Sequence, residues 1–156
     1  TVACLSAGAS LFHVDSAKAM VERCGENIRL SGLEKAPVRY IVDDCFKFCE
    51  RELRRGKKYD AIILDPPSFG RGPNGEKWKI EDSVCDLIEL VAKLLSDKPL
   101  FVCLNSYTTG LQPTVMKNIL TLSLPSCEID SDEIGLKTAE KIVLPQGCTA
   151  FATFNK

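Results

Sequence analysis

Three short apolar runs, SLFHV (10–14), VRYIV (38–42) and AIIL (61–64), each stop at an aspartate, and stretches with helical spacing separate them. This alternation limits the fold more than any other feature of the chain. Apolar runs of this length suit strands covered on both faces, and strands alternating with helices build a parallel sheet from βα units. Between the first two runs, Ala17, Met20, Val21, Cys24 and Ile28 recur at helical spacing, and Gly32 marks a stop. Phe46, Cys49, Glu50 and Leu53 outline a second helix that ends at Gly56. Right-handed crossovers leave few topologies, so a doubly wound, mostly parallel α/β sheet is expected.

After AIIL the chain reads Asp65, Pro66, Pro67, Ser68, Phe69, and proline, lacking a ladder donor, stops the strand there. The stretch from Asp65 to Lys79 exceeds the usual βα connection, which predicts a lid or binding loop. Within it, Trp78 reads as a clamp onto the domain or a stacking face for a base. From Glu81, the positions Val84, Leu87, Ile88, Val91, Leu94 and Leu95 form an amphipathic stripe, followed by PLFVCLN (99–105) as a buried strand. Pro113 opens a helix to Leu122, and CEIDSDEIGL (127–136) and TAFATF (149–154) alternate as an antiparallel pair closing the sheet edge. No linker or repeat interrupts the chain, so one domain over residues 1–156 is expected.

With 156 residues, 45% of them hydrophobic, the chain can bury a sizeable core. It contains no run of transmembrane length and no basic signal-peptide start, which predicts an intracellular, by default cytoplasmic, protein without a membrane partner. A net charge of −1 gives no global pull toward nucleic acid, leaving local clusters such as RELRRGKK (51–58), which reads as a solvated helix end. The 8 cysteines include no C-x-x-C pair and His13 is the single histidine, so no metal site is expected. Most thiols read as reduced core side chains, and His13, inside a strand, reads as structural.

Asp15, Asp44 and Asp65 all fall at strand carboxyl ends, which share one rim in a parallel sheet and should line one crevice. Aspartate before a helix is also a favoured cap, and Asp15 and Asp44 suit that role too. An acid after the second strand of such a fold can accept hydrogen bonds from both ribose hydroxyls of a nucleoside cofactor, nicotinamide cofactors included. An acid after the third can accept from an adenine amino group.

The stretches HVDSAKAMVERCGENIRLSGL, YIVDDCFKF and above all LDPPSFGRGPNGEKWKIED resemble class I S-adenosylmethionine-dependent methyltransferases. Within that class they are similar to the large-subunit ribosomal RNA methyltransferases that carry an Asp-Pro-Pro-x-Phe element. The resemblance implies S-adenosyl-L-methionine as cofactor and RNA as partner, met through the loop Arg71–Lys79, with Arg71, Lys77 and Lys79 on phosphates. It implies that Asp15 and Ser16 hold the ribose, that Asp44 meets the adenine amino group, and that Cys45 and Phe46 flank the ring. Asp65, Pro66 and Pro67 would stand between the cofactor's methionine part and the acceptor, with Phe69 stacking on a base.

The class opens its sheet with a strand and glycine-rich cofactor loop ahead of the helix to which TVACLSAGA (1–9) belongs, so an N-terminally incomplete domain is expected, lacking also an upstream RNA-binding module. Relatives that methylate cytosine at carbon 5 need a thiolate, which in the similar bacterial enzymes lies just after the fifth strand; there LNSYTTG places Ser106, while Cys103 falls within the strand pattern and reads as core. Nitrogen or oxygen acceptors gain from this substitution. A methyltransferase-like interaction module without catalysis, and a methyltransferase of a non-RNA substrate, are the competing readings.

Overall fold

A computed structural model describes residues 1–71 and 77–154. The chain divides into two compact units, Thr1–Arg51 and Glu52–Lys156, and each has its own architecture.

In the first unit, helix α1 (Val2–Ser6) leads to strand β1 (Leu11–Asp15), helix α2 (Lys18–Leu30) and strand β2 (Val38–Val42). The strands pair in parallel from Leu11 opposite Val38 to Asp15 opposite Val42, with α2 as the crossover. Leu5, Cys24 and Ile28 form the buried cluster, and Val2, Leu11, Leu33, Ala36 and Val38 pack against it. Full burial of one such aliphatic side chain stabilises a fold by about 1.5–3 kcal/mol. The expected helical stripe holds at Val21, Cys24 and Ile28, whereas Met20 is exposed and Ala17 is the residue preceding the helix. Gly32 ends α2 at a φ of 69°, a left-handed conformation that favours glycine, while the Leu33 amide returns to the Ile28 carbonyl at 3.0 Å.

Helix α3 (Cys45–Arg54) carries the division between the units. Its buried residues are Phe48, Cys49 and Glu52. Leu53, expected on the apolar edge, is exposed, because Glu52 turns inward and is held by Arg55 Nη1 at 3.0 Å and the Tyr59 hydroxyl at 2.7 Å. A carboxylate can be buried there because both partners donate to it.

In the second unit, strands β3 (Ala61–Leu64), β6 (Phe101–Ser106), β8 (Val143–Thr153) and β7 (Glu128–Lys137) form one sheet in the order β3-β6-β8-β7. The β3/β6 pair is parallel, and β6/β8 and β7/β8 are antiparallel, as the alternating C-terminal stretches predict. Helices α4 (Ile80–Ala92) and α5 (Pro113–Ser123) contribute Val84, Leu87, Ile88, Val91, Met116 and Leu120 to the core, together with Val102 and Leu104 of β6 and Ala150 and Ala152 of β8. Leu94 and Leu95 are buried as expected but lie beyond the end of α4. Ile63 is 51% exposed, contrary to a strand covered on both faces, since β3 is the edge of its sheet.

The stretch after Asp65 forms structure that the sequence pattern does not announce. Strands β4 (Phe69–Arg71) and β5 (Lys77–Lys79) pair antiparallel, placing Phe69 opposite Lys79, Gly70 opposite Trp78 and Arg71 opposite Lys77. The intervening residues 72–76, part of the expected lid or binding loop, lie outside the described residues.

Candidate active site

The first unit brings Asp15, Ser16, Asp44, Cys45 and Phe46 to the carboxyl end of its two-stranded sheet. Asp15 closes β1, and its carbonyl accepts from the Asp43 amide at 3.1 Å, tying the end of β2 to the end of β1. Asp15 Oδ1 accepts from the Ala17 amide at 2.7 Å, and Asp44 Oδ1 accepts from the Lys47 amide at 3.0 Å. The capping role expected of Asp44 is therefore present at the start of α3, whereas Asp15 bonds the residue that precedes α2 and makes no cap to the helix itself; each bond occupies one oxygen of its carboxylate. Asp43 is committed further: Oδ1 accepts from the Asp44 amide at 2.9 Å and Oδ2 pairs with Arg51 Nη1 at 2.7 Å. This difference favours Asp44 over its neighbour as the residue with an oxygen to offer a ligand. Ser16 is exposed, and Cys45 and Phe46 open α3 beside these carboxylates.

Charge accumulates at this rim. Loss of hydration around its sulfur, followed by the negative charges of Asp44, Asp15 and Asp43, pushes the Cys45 thiol up to about 11. A rim that resists a further anion suits donors such as hydroxyl and amino groups and a cation. His13, within β1, is held below its ordinary pKa of 6.5 by burial, which Asp15 offsets; its Nδ1 shares a hydrogen bond of 2.9 Å with Thr1 Oγ1, and Nε2 has no hydrogen-bond partner among the described residues.

The second unit holds Asp65, Pro66, Pro67 and Phe69 in one turn at the end of β3. Trp78 Nε1 donates to the Pro67 carbonyl at 2.6 Å, the Ile80 amide donates to the Ser68 carbonyl at 3.1 Å, and Thr108 Oγ1 donates to Ser68 Oγ at 2.6 Å. The turn is thus fastened from β5, from the start of α4 and from the segment after β6. Among the described residues, no hydrogen bond is made to the Asp65 carboxylate or the Pro66 carbonyl, and Phe69 is 50% exposed. Ser68 and Thr108 were not legible as site residues, because 40 positions separate them.

Ser106 ends β6 buried at 3% exposure, its Oγ accepting from the Thr108 amide at 3.1 Å. Cys103, expected in the core, is half-buried, with Asn105 Oδ1 at 3.6 Å and Thr149 Oγ1 at 3.8 Å. Burial raises its thiol pKa, the Thr149 hydrogen bond opposes this and Asp65 adds to it. Neither group is poised as an anionic nucleophile. The wider expectation of core thiols holds for Cys24 and Cys49, whereas Cys45 and Cys85 are exposed and the others half-buried.

The family model for S-adenosylmethionine-dependent methyltransferases matches residues 1–126. The chain belongs to that family. The resemblance carried by the aspartate-ended strands and the Asp-Pro-Pro-x-Phe element is borne out. Ribosomal RNA large subunit methyltransferase I of Erwinia tasmaniensis is 36% identical over 64 residues, 41% of this chain and 16% of that protein. Its counterpart in Serratia proteamaculans is 28% identical over 104 residues, 67% of this chain and 26% of that protein. A solved S-adenosylmethionine-dependent methyltransferase from Agrobacterium tumefaciens superposes with a TM-score of 0.88 at 32% identity, covering 96% of this chain and 50% of that one. The chain therefore spans about a quarter or less of the length of these two curated relatives.

In the first unit, Asp15 and Asp44 each keep one carboxylate oxygen outside their bonds to the Ala17 and Lys47 amides, at the same end of the β1/β2 pair. Such acceptors fit ribose hydroxyls and an adenine amino group. Among the described residues no helix is long and apolar enough to cross a membrane.

Proposed function

We propose that this chain is the cofactor-binding and acceptor-aligning part of an S-adenosylmethionine-dependent methyltransferase acting on a base of RNA. Asp15, with Ser16, holds the ribose hydroxyls; Asp44 accepts from the adenine amino group; Cys45 and Phe46 flank the adenine ring. When bound, S-adenosylmethionine supplies a methyl group on an already activated sulfonium leaving group. The chain's own work is then alignment and exclusion of water. Asp65 and the Pro66 carbonyl accept from an exocyclic amine and direct its lone pair, Pro67 keeps the turn rigid, and Phe69 stacks on the base.

The observation that carries this proposal is the Asp65-Pro66-Pro67 turn: fastened through Pro67 and Ser68, it leaves Asp65 and the Pro66 carbonyl open to an incoming donor. The buried, hydrogen-bonded Ser106 and the raised thiol of Cys103 favour a nitrogen or oxygen acceptor over carbon 5 of cytosine. RNA as the substrate class rests on what the two matched ribosomal RNA methyltransferases are named for.

Calorimetric titration with S-adenosylhomocysteine, comparing the chain with Asp15→Asn, tests the cofactor assignment. Asparagine keeps an acceptor for the Ala17 amide but loses the charge, so binding is expected to weaken about tenfold to a hundredfold, the range for a hydrogen bond to a charged group. Equal affinity in the variant would refute the role given to Asp15.

A further inference from the structure

We infer that the outer face of the β4–β5 hairpin is a grip for single-stranded nucleic acid, holding the strand that presents its base to the Asp65 turn. This deepens the RNA reading above and rests on it. Directly opposed residues of an antiparallel pair share a face, so Phe69, Lys79, Arg71 and Lys77 project from one side and Gly70 and Trp78 from the other. Exposure agrees: the first four are exposed, the latter two half-buried. The Arg71 guanidinium lies 6.0 Å from the centre of the Phe69 ring, leaving an aromatic surface bordered by cations. On the reverse side, Trp78 donates to the Pro67 carbonyl at 2.6 Å, and its Cβ lies 3.6 Å from where a side chain on Gly70 would begin.

One face therefore meets the ligand while the other is bonded to the aligning turn. The occupant follows from charge and shape. Arg71, Lys77 and Lys79 complement phosphates, and an exposed phenylalanine among them offers a stacking surface that an unpaired base can use and a paired base inside a duplex cannot. The carboxylates that follow, Glu81 and Asp82, sit in the first turn of α4, where they complement the positive end of the helix. With a net charge of −1 over the whole chain, this attraction is local to the hairpin.

Fluorescence anisotropy of a labelled mixed-sequence RNA 12-mer, titrated across salt concentrations, tests the grip. Replacing both lysines (Lys77→Gln with Lys79→Gln) is expected to flatten the slope of log affinity against log salt by about 1.4, since each lost phosphate contact on a single strand contributes about 0.7. Phe69→Ala is expected to weaken binding about fivefold to a hundredfold with the slope unchanged, and a duplex of equal length to be indifferent to it. Melting temperature and S-adenosylhomocysteine affinity serve as folding controls for each variant. Tight RNA binding with an unaltered slope in the double variant would overturn the hairpin grip alone. No RNA binding by a chain that still binds S-adenosylhomocysteine would overturn the RNA reading and the grip together. Displacement by polyglutamate as effective as by unlabelled RNA would overturn it in favour of an acidic protein partner.

Discussion

Asp44 shows how one side chain can serve both fold and site. Its Oδ1 accepts the Lys47 amide at 3.0 Å and so caps α3, while the other oxygen of the carboxylate stays available at the same rim. Asp44→Ala should therefore cost about 1 kcal/mol of stability, the usual worth of such a cap, and Asp44→Asn should cost little because the amide oxygen replaces Oδ1. Urea denaturation of the pair checks this; equal losses in both variants would assign the cost to charge rather than to capping. Three aspartates at strand ends were legible in the sequence, but their division of labour was not. Asp43 and Asp44 are adjacent and chemically equal, and it is the Asp44 amide at 2.9 Å together with the Arg51 side chain at 2.7 Å that commits both oxygens of Asp43.

At the scale of elements, the strands and helices with sustained periodicity follow the sequence pattern closely. VRYIV is β2, AIIL is β3, and Pro113 opens α5. The β4–β5 hairpin escaped because a strand of 3 residues carries no periodicity to read. It is nevertheless the element that disciplines the turn. Trp78→Phe keeps an aromatic ring beside Gly70 but removes the indole donor to the Pro67 carbonyl. It should lower stability by about 1 kcal/mol, as for a single hydrogen bond, and speed deuterium uptake at the amides of Ser68 to Gly70. Unchanged exchange at those amides would mean that the bonds to Ser68 from Ile80 and Thr108 hold the turn without Trp78.

For the molecule as a whole, pH dependence offers a check that requires no ligand. Burial holds the folded pKa of His13 below its ordinary 6.5, with Asp15 opposing. Above 6.5 the ring is neutral in both folded and unfolded chains, and its contribution to stability is fully present. As pH falls below that value the unfolded chain takes up the proton first, so stability declines until the folded pKa is passed. Urea midpoints at about pH 7.5 and pH 5.5, above the usual carboxylate range, should drop for the natural chain and stay level for His13→Gln. A parallel drop in the variant would place the dependence on another group.

What the sequence determined by itself is the α/β class, the order of its elements other than the β4–β5 hairpin, the aspartates at three strand ends and the family. These follow from local patterns: hydrophobic period, proline as a strand stop, and side-chain types within a few residues of one another. What only the tertiary structure decided is which atoms are already spoken for. The Pro67 carbonyl is taken by a tryptophan 11 residues on, Ser68 by a threonine 40 residues on, one oxygen of Asp44 by the cap of α3 and one of Asp15 by the Ala17 amide. Hydrogen-bond pairing across such separations depends on how elements fold back on one another, and nothing in the composition of either partner encodes it. The acceptors left over, at Asp65 and Pro66, are a consequence of that pairing, and the proposed alignment of an acceptor base rests on them.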